Sequence, residues 1–243
     1  MRSSSGGVAA AIERAFIKNG GIVCSCTFNF GKFEFDFAES EDEVSKFTGS
    51  KYVKSNPGGI YKKISEKLKL GRKVLFVGLP CQVTAVRHYT RNHQNLYTID
   101  LICHGTPSPQ ILDSFLSDYG IRLTEVQSIR FREKNNFKLE QNGKRFTVPT
   151  IMDNYLMTFL NATTYTENCY QCQYARIERS GDITLTIGNQ ISENKYNTTI
   201  KRKHCKQKPI QLSTNINTAD KSKIMLPTQN SLFLTLYFIY FLV

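Results

Sequence analysis

Four cysteines have the spacing needed for metal or redox chemistry. Cys169 and Cys172 form a C-x-x-C pair, and Cys81 and Cys103 each follow a short apolar run. Two residues between thiols let both sulfurs turn toward one centre, and single cysteines from distant loops can complete a four-thiolate site. Such a site can hold an iron–sulfur cluster.

The spacing by itself leaves three chemistries open. Tetrahedral zinc accepts the same four thiolates, and a C-x-x-C pair can also act as a redox dithiol. A lone Cys81 or Cys103 would carry little weight, because a free cysteine is often only a small buried hydrophobe. The pattern favours cluster, zinc and dithiol about equally.

A second candidate site is a Ser/Gly loop ahead of the first predicted helix. Hydroxyl groups and free backbone amides at a helix N-terminus suit a phosphate or pyrophosphate. The loop residues are Ser3, Ser4, Ser5, Gly6 and Gly7. Seen alone, the loop is more simply interpreted as an ordinary helix cap.

Two further stretches flank the single cysteines. Gly78 and Pro80 shape a turn whose backbone can approach a flat ligand such as a flavin ring, with Gln82 as a hydrogen-bond donor or acceptor. His104 could tune a cluster bound by Cys103 through hydrogen bonding, although an exposed loop histidine is an equal alternative.

The elements that must position these residues are read from periodicity. A helix is predicted over residues 8–16, a hairpin over 22–38 with Cys24 and Cys26 buried on one face, and a short helix after the capping-box pair Ser40 and Glu43. Next come helix 59–70, strand 74–77, helix 82–92, strand 96–102 and a helix from Pro109. Cys81 and Cys103 then both follow carboxyl ends of strands, where open α/β sheets place ligands.

The fold class predicted from this order is α/β in a mixed α+β form. We expect a central sheet with βαβ-like units, two or three antiparallel strands over 125–148, and a short helix over 152–160. The last helix should lead into a cysteine loop, the C-x-x-C pair, which could take part in an iron–sulfur cluster site.

Composition argues against several other functions. The chain has 243 residues and a formal net charge of +12, and a basic domain can indicate nucleic-acid binding. However, the last 53 residues hold 8 Lys and Arg against 2 Asp and Glu, which is half of the excess. No nucleic-acid motif accompanies this charge, so we expect no nucleic-acid partner.

Cysteine usage and hydropathy indicate a compartment. Seven cysteines are an odd number, the N-terminus has no basic segment followed by an apolar one, and both features favour the reducing cytoplasm over secretion. No apolar run reaches the roughly 20 residues of a membrane-spanning helix. We therefore expect a cytoplasmic protein without a transmembrane span.

Residues 188–243 are predicted to form an atypical basic, low-complexity tail behind a domain of residues 1–187. The tail turns to Asn, Lys, Thr, Ile and Gln with little periodicity and ends in an apolar run at 231–243. That run is too short to span a bilayer, and its β-prone, uncharged composition is an aggregation hazard. A disordered or poorly packed tail is favoured over a functional one, such as a terminal anchor or a buried strand that completes the core.

Seven motifs resemble, in order, those of the coenzyme F-420 hydrogenase/dehydrogenase beta subunit family. They occupy residues 2–7, 49–53, 71–76, 78–82, 100–105, 169–172 and 181–184. Many relatives carry a cysteine-rich, ferredoxin-like segment ahead of the Ser/Gly loop and a Gly-Asp-x-Trp-Gly pattern after the last motif. Neither is present here, so we expect a chain truncated at both ends.

The resemblance implies an iron–sulfur flavoprotein oxidoreductase or electron-transfer subunit with FAD and a [4Fe-4S] cluster. It implies cluster ligation by Cys81, Cys103, Cys169 and Cys172, cofactor-phosphate contacts from the Ser/Gly loop, and Lys51 and Gln82 near the flavin. The partner would be a deazaflavin such as coenzyme F-420, a ferredoxin or another redox protein, within a hetero-oligomer. The alternatives are a zinc-binding structural module and an inactive remnant of the enzyme.

Overall fold

The computed structural model describes residues 7–133, 136–146, 152–185, 190–192, 195–202 and 210–215. Its helices are α1 Val8–Lys18, α2 Ile60–Lys69, α3 Pro80–Tyr89, α4 Pro109–Ser117, α5 Asn154–Leu160 and α6 Glu167–Tyr170, with 3₁₀ turns at Asp42–Phe47 and Leu123–Glu125. Its strands are β1 Ile22–Asn29, β2 Lys32–Ala38, β3 Val74–Gly78, β4 Leu96–Leu101, β5 Ile129–Glu133, β6 Asn136–Gln141, β7 Lys144–Arg145, β8 Ile183–Leu185, β9 Gln190–Ser192, β10 Lys195–Arg202 and β11 Ile210–Asn215.

The main sheet has the strand order β11-β10-β8-β4-β3-β1-β2, with β9 paired to β10. Strands β1, β3, β4 and β8 are parallel to one another, whereas β2, β10 and β11 add antiparallel edges. The predicted mixed α/β fold is confirmed. Every residue of β3 is buried, as expected for a central parallel strand covered on both faces.

Helices cover both faces of the main sheet. Alternate residues of β1 and β3 point to opposite faces, so Val23 and Leu75 pack with Phe16 of α1, and Cys24 and Phe76 pack with α2 and α3. The apolar stripe of α2 is buried while its lysines face outward. This arrangement gives three layers with the sheet in the middle.

The antiparallel strands predicted over 125–148 form a separate sheet, ordered β5-β6-β7. A third apolar cluster joins this sheet to α4 and α5, with Phe131, Leu139 and Leu156 at its centre. The N-cap of α5 is Asp153, whose carboxylate accepts hydrogen bonds from the amides of Leu156 and Leu139. The sequence identified these elements because their patterns are local.

Three features of the described residues differ from the sequence prediction. The helix after β3 begins at Pro80, because proline is favoured at the first helical position. Cys169 lies on the one-turn helix α6 and not on an open loop, so the predicted cysteine loop is not confirmed. Residues 195–202 and 210–215, assigned to the tail, form strands of the main sheet; the apolar run at 231–243 lies outside the described residues.

A membrane-crossing helix is not found in the described part of the chain, where every helix is too short or too polar.

Candidate functional site

The candidate site lies at the carboxyl edge of the parallel strands. Gly78 at the end of β3 is in register with Asp100 near the end of β4, and Asp100 is in register with Thr184 of β8. The segments that follow β3 and β4 carry Cys81 and Cys103. Sheet topology therefore brings these two residues to one edge, as the sequence predicted.

Cys81 lies in the first turn of α3, and Gln82 fixes that turn. The Gln82 side-chain oxygen accepts a hydrogen bond from the Leu79 amide at 2.9 Å. Its side-chain amide donates to Ser55 Oγ at 2.8 Å. Gln82 is buried and both ends of its amide have partners in the protein, so in this structure it supports the turn. The predicted contact of Gln82 with a flavin stays a prediction.

Gly78 and Pro80 shape the same turn and are both buried. A Cβ at Gly78 would lie 2.8 Å from the ring of Phe76, which gives the glycine a packing role. Pro80 begins α3. Their predicted role at a cofactor is neither supported nor contradicted by these contacts.

The loop that carries Cys103 is held against the segment ahead of the C-x-x-C pair. Gly105 has a φ of +140°, and a Cβ there would lie 2.0 Å from the ring of Tyr165. The amide of Thr166 donates to the carbonyl of Thr106 at 2.9 Å. Only glycine fits where the Cys103 loop approaches Tyr165 this closely. The close approach holds Cys103 near the C-x-x-C segment.

His104 lies beside the contact between Gly105 and Tyr165. Its Nδ1 is hydrogen-bonded to the Tyr165 hydroxyl, its ring is 5.0 Å from that of Phe159, and partial burial lowers its pKa. His104 thus braces the Cys103 loop, and its predicted influence on a cluster stays a prediction.

Two threonine hydroxyls lie close to the sulfur of Cys169. Its sulfur lies 3.2 Å from Thr166 Oγ1 and 3.8 Å from Thr106 Oγ1. Burial raises the pKa of Cys169, but the hydrogen bonds from Thr166 and Thr106 and the positive charge of Lys54 outweigh burial and hold it below its ordinary value. This environment stabilises the thiolate, which is the form that binds metals.

The four cysteines act on one another electrostatically. Burial raises the pKa of Cys103 to about 11, and the charges of Cys81, Cys169 and Cys172 add to that rise. Burial also raises the pKa of Cys81, with contributions from Cys172 and Cys169. All four are free thiols. The Thr166–Thr106 hydrogen bond ties the segment before Cys169 to the Cys103 loop, and Cys81 follows the neighbouring strand β3 at the same edge; the ligand role of the four thiols stays a prediction.

The segment after the C-x-x-C pair is tied back onto the same edge. Its contacts are 2.6 Å from Arg179 Nη2 to Asp100 Oδ2, 2.9 Å from Thr84 Oγ1 to Ser180 Oγ, and 2.8 Å from Thr98 Oγ1 to Asp182 Oδ2. Asp100 is fully buried, and its Oδ2 meets Arg179 as an ion pair without an aligned hydrogen bond. Residues 167–178 are thus held at both ends.

The Ser/Gly loop is described only at Gly7. This residue is the N-cap of α1 with a left-handed φ of 68°, and its carbonyl accepts the hydrogen bond of the Ala11 amide at 3.0 Å. Ser3, Ser4, Ser5 and Gly6 lie outside the described residues, so their predicted phosphate contacts stay predictions.

Comparison with known proteins identifies the family. A family model for the C-terminal region of the coenzyme F420 hydrogenase/dehydrogenase beta subunit matches residues 71–219. The match covers more than half of the chain and includes all four cysteines. The chain belongs to this family. A comparison with curated proteins found no match.

A solved structure shares the fold of this F420 hydrogenase/dehydrogenase beta-subunit family member. It belongs to the F420-reducing [NiFe] hydrogenase complex from Methanosarcina barkeri, with a TM-score of 0.55 and 22% sequence identity. The match covers 76% of this chain and 65% of that one. The family match also crosses the boundary predicted at residues 187 and 188, and that division into domains stays a prediction.

A second set of polar groups in this family member lies around Lys51. Its ammonium donates to the carbonyls of Phe47 and Gly49, both at 3.0 Å. Burial lowers the pKa of Lys51, while the charges of Cys26 and Glu13 oppose that shift. The structure thus places Lys51 among buried polar groups, and its predicted place beside a flavin stays a prediction. Cys24 is fully buried and Cys26 is partly buried.

The sequence prediction missed Glu13, Lys54, Asp100 and Arg179. Glu13 carried a usable signal, because it lies on the buried face of α1 with Phe16 and Ile17. A carboxylate on an apolar helix face is unusual enough to suggest a buried polar group. Arg179 and Lys54 gave no such signal, since each lies in a polar stretch.

Glu13 is expected to make stability depend on pH. Burial raises its pKa from 4.5 to about 7 against the positive charges of Lys51 and Arg14. Between these values the folded state keeps a proton that the unfolded state loses, so stability falls as pH rises from about 4.5 to 7. Glu13→Gln should remove up to about 3 kcal/mol of that fall. The free energy of unfolding in urea, compared at pH 5 and pH 7.5, measures this effect. Glu66→Gln, at an exposed position, is the control. The same pH dependence in wild type and Glu13→Gln would contradict the prediction.

Proposed function

We propose that this chain is an iron–sulfur flavoprotein subunit that transfers electrons between a [4Fe-4S] cluster, FAD and a redox partner. The observation that supports the proposal is that Cys81 and Cys103 follow the paired parallel strands β3 and β4, while Thr106 of the Cys103 loop lies against Cys169 of the C-x-x-C pair. Membership of a hydrogenase/dehydrogenase beta-subunit family supports redox chemistry.

The donor set fits a cluster. Four thiolates are the ligands that [4Fe-4S] clusters take, and the hydroxyls near Cys169 can donate to a ligating sulfur. Among the described His, Cys, Asp and Glu side chains, no three are grouped closely enough to hold a single metal ion. Zinc accepts the same four thiolates, so it is membership of a hydrogenase/dehydrogenase beta-subunit family that favours the cluster over zinc.

Each thiol would have a defined role. Cys81 lies in the first turn of α3 and Cys103 in the loop after β4, and Cys169 and Cys172 come from a segment held at both ends. A bound cluster would supply one-electron transfer. The chain would fix the ligand positions, partly exclude water and stabilise the thiolate of Cys169 through Thr106 and Thr166.

FAD would bind at the N-terminus of α1 and at the turn after β3. The Ser/Gly loop residues Ser3, Ser4, Ser5, Gly6 and Gly7 would contact the phosphates. Lys51, with Gly78, Pro80 and Gln82, would lie near the ring. A flavin exchanges electrons one or two at a time and so couples a one-electron cluster to a hydride partner. The partly buried ammonium of Lys51 would favour negative charge on the reduced ring.

The partner is proposed to be coenzyme F-420, a ferredoxin or a second subunit in a cytoplasmic hetero-oligomer. The structural neighbour comes from an F420-reducing hydrogenase complex, which supports a deazaflavin partner. The chain spans only 65% of that neighbour, so the activity of the whole complex is part of the proposal.

Anaerobic reconstitution of the full chain with iron, sulfide and FAD tests this function. We expect visible absorption from both groups, with about four iron and four sulfide per chain. Titration of the same chain with zinc is the comparison, because a zinc module would bind one colourless ion. Protein that takes up zinc but neither iron–sulfide nor FAD would contradict the proposal, and protein that binds none of them would favour an inactive remnant.

A further inference from the structure

Lys54 lies between the Cys103 loop and the C-x-x-C segment. Its amide donates to the carbonyl of Pro107 at 2.8 Å, which fixes its backbone to the Cys103 loop. Its ammonium lies 3.5 Å from Thr166 Oγ1, and that oxygen lies 3.2 Å from the sulfur of Cys169. The side chain is partly buried. A single residue thus connects a positive charge to both halves of the four-cysteine site.

The charge of Lys54 lies close to the thiol of Cys169, because a single hydroxyl oxygen, Thr166 Oγ1, separates the ammonium from that sulfur. Two other cations near the site are paired with carboxylates, Arg179 with Asp100 and Arg87 with Asp182. Among the ion pairs of the described residues, none joins Lys54 to a carboxylate. Within the part of the chain that the structure describes, no carboxylate paired with Lys54 offsets the charge that it places near Cys169.

We propose that Lys54 is an electrostatic tuning residue that raises the reduction potential of the centre held by the four cysteines. The inference rests on the proposed function. Reduction adds one electron to a site that already carries four thiolates, and no bond forms or breaks in the chain. A nearby positive charge stabilises the extra electron, because cluster potentials depend on net charge and on hydrogen bonds to the sulfurs. Lys54 supplies the charge directly and supports Thr166, which contacts Cys169.

The test is a redox titration of reconstituted full-length protein with dithionite, following the visible absorbance of the cluster. Lys54→Gln removes the charge and keeps a polar side chain of similar length, whereas Lys54→Arg keeps the charge. We expect Lys54→Gln to lower the ratio of reduced to oxidised cluster about tenfold at a fixed potential, which is about 59 mV for a one-electron couple. Lys54→Arg should stay close to wild type, and Lys54→Glu should shift further in the same direction.

Lys69→Gln is the matched control. Lys69 is exposed at the end of α2, near the start of β3 and so at the opposite edge of the sheet. Lys69→Gln changes the net charge by the same amount as Lys54→Gln and should leave the reduction potential unchanged. Equal shifts in Lys54→Gln and Lys54→Arg would show a packing role and overturn the inference, as would an unchanged potential in Lys54→Gln. A wild-type chain that assembles no cluster refutes the proposed function and this inference together. A cluster whose reduction potential does not change in the Lys54 variants refutes the inference alone.

Discussion

Cys169→Ser and Cys172→Ser should each remove most of the visible cluster absorbance of the reconstituted protein. Serine oxygen is a much harder ligand than thiolate sulfur and suits iron–sulfur clusters poorly. Both residues lie on a short segment held by Thr166 at one end and Arg179 at the other, which fixes the positions of their sulfurs. The measurement is iron and sulfide content together with the absorption spectrum after anaerobic reconstitution.

Cys24→Ala provides the control for this pair. Cys24 is fully buried among the apolar core residues beneath α2 and α3. Burial raises the pKa of its thiol, which disfavours the thiolate form that binds metals. The variant should assemble the cluster at wild-type stoichiometry. Full absorbance in both serine variants would remove Cys169 and Cys172 from the ligand set.

Loss of either partner of the Asp100–Arg179 ion pair should destabilise the protein strongly. Asp100 has no exposed side-chain surface and Arg179 is 12% exposed at its side chain. Removing one partner leaves a buried charge without compensation, which typically costs about 3–5 kcal/mol. We expect a loss of that size for Arg179→Met, measured as the free energy of unfolding in urea. Iron uptake should fall as well, because the end of the 167–178 segment is no longer held.

Two further variants separate charge from packing. The double variant Asp100→Leu with Arg179→Met removes both charges and should recover part of the lost stability. Arg72→Met breaks an exposed contact with Glu39, where the side chains are 46% and 48% exposed, and should cost less than about 1 kcal/mol. If Arg179→Met is as mild as Arg72→Met, the buried pair does not hold the segment.

The sequence alone determined the elements and supplied the candidate residues of the site. Alternation of apolar residues marked β1 and β2, an apolar run marked β3, and helical spacing marked α1 and α2. These signals are local, because each depends on which face of one element is buried. The four cysteines were also identified from residue type and spacing, together with the edge of the sheet at which Cys81 and Cys103 lie.

Only the tertiary structure decided which side chains surround those cysteines. Lys54 meets Thr166 across 112 positions of the chain, and Thr184 bonds to Asp100 across 84. Residues that far apart have no spacing pattern to reveal their contact. The same limit applies to β10 and β11, whose polar sequence suggested a tail but whose backbones pair at the edge of the main sheet. Strand pairing uses backbone groups that every such residue carries, so composition alone could not show it.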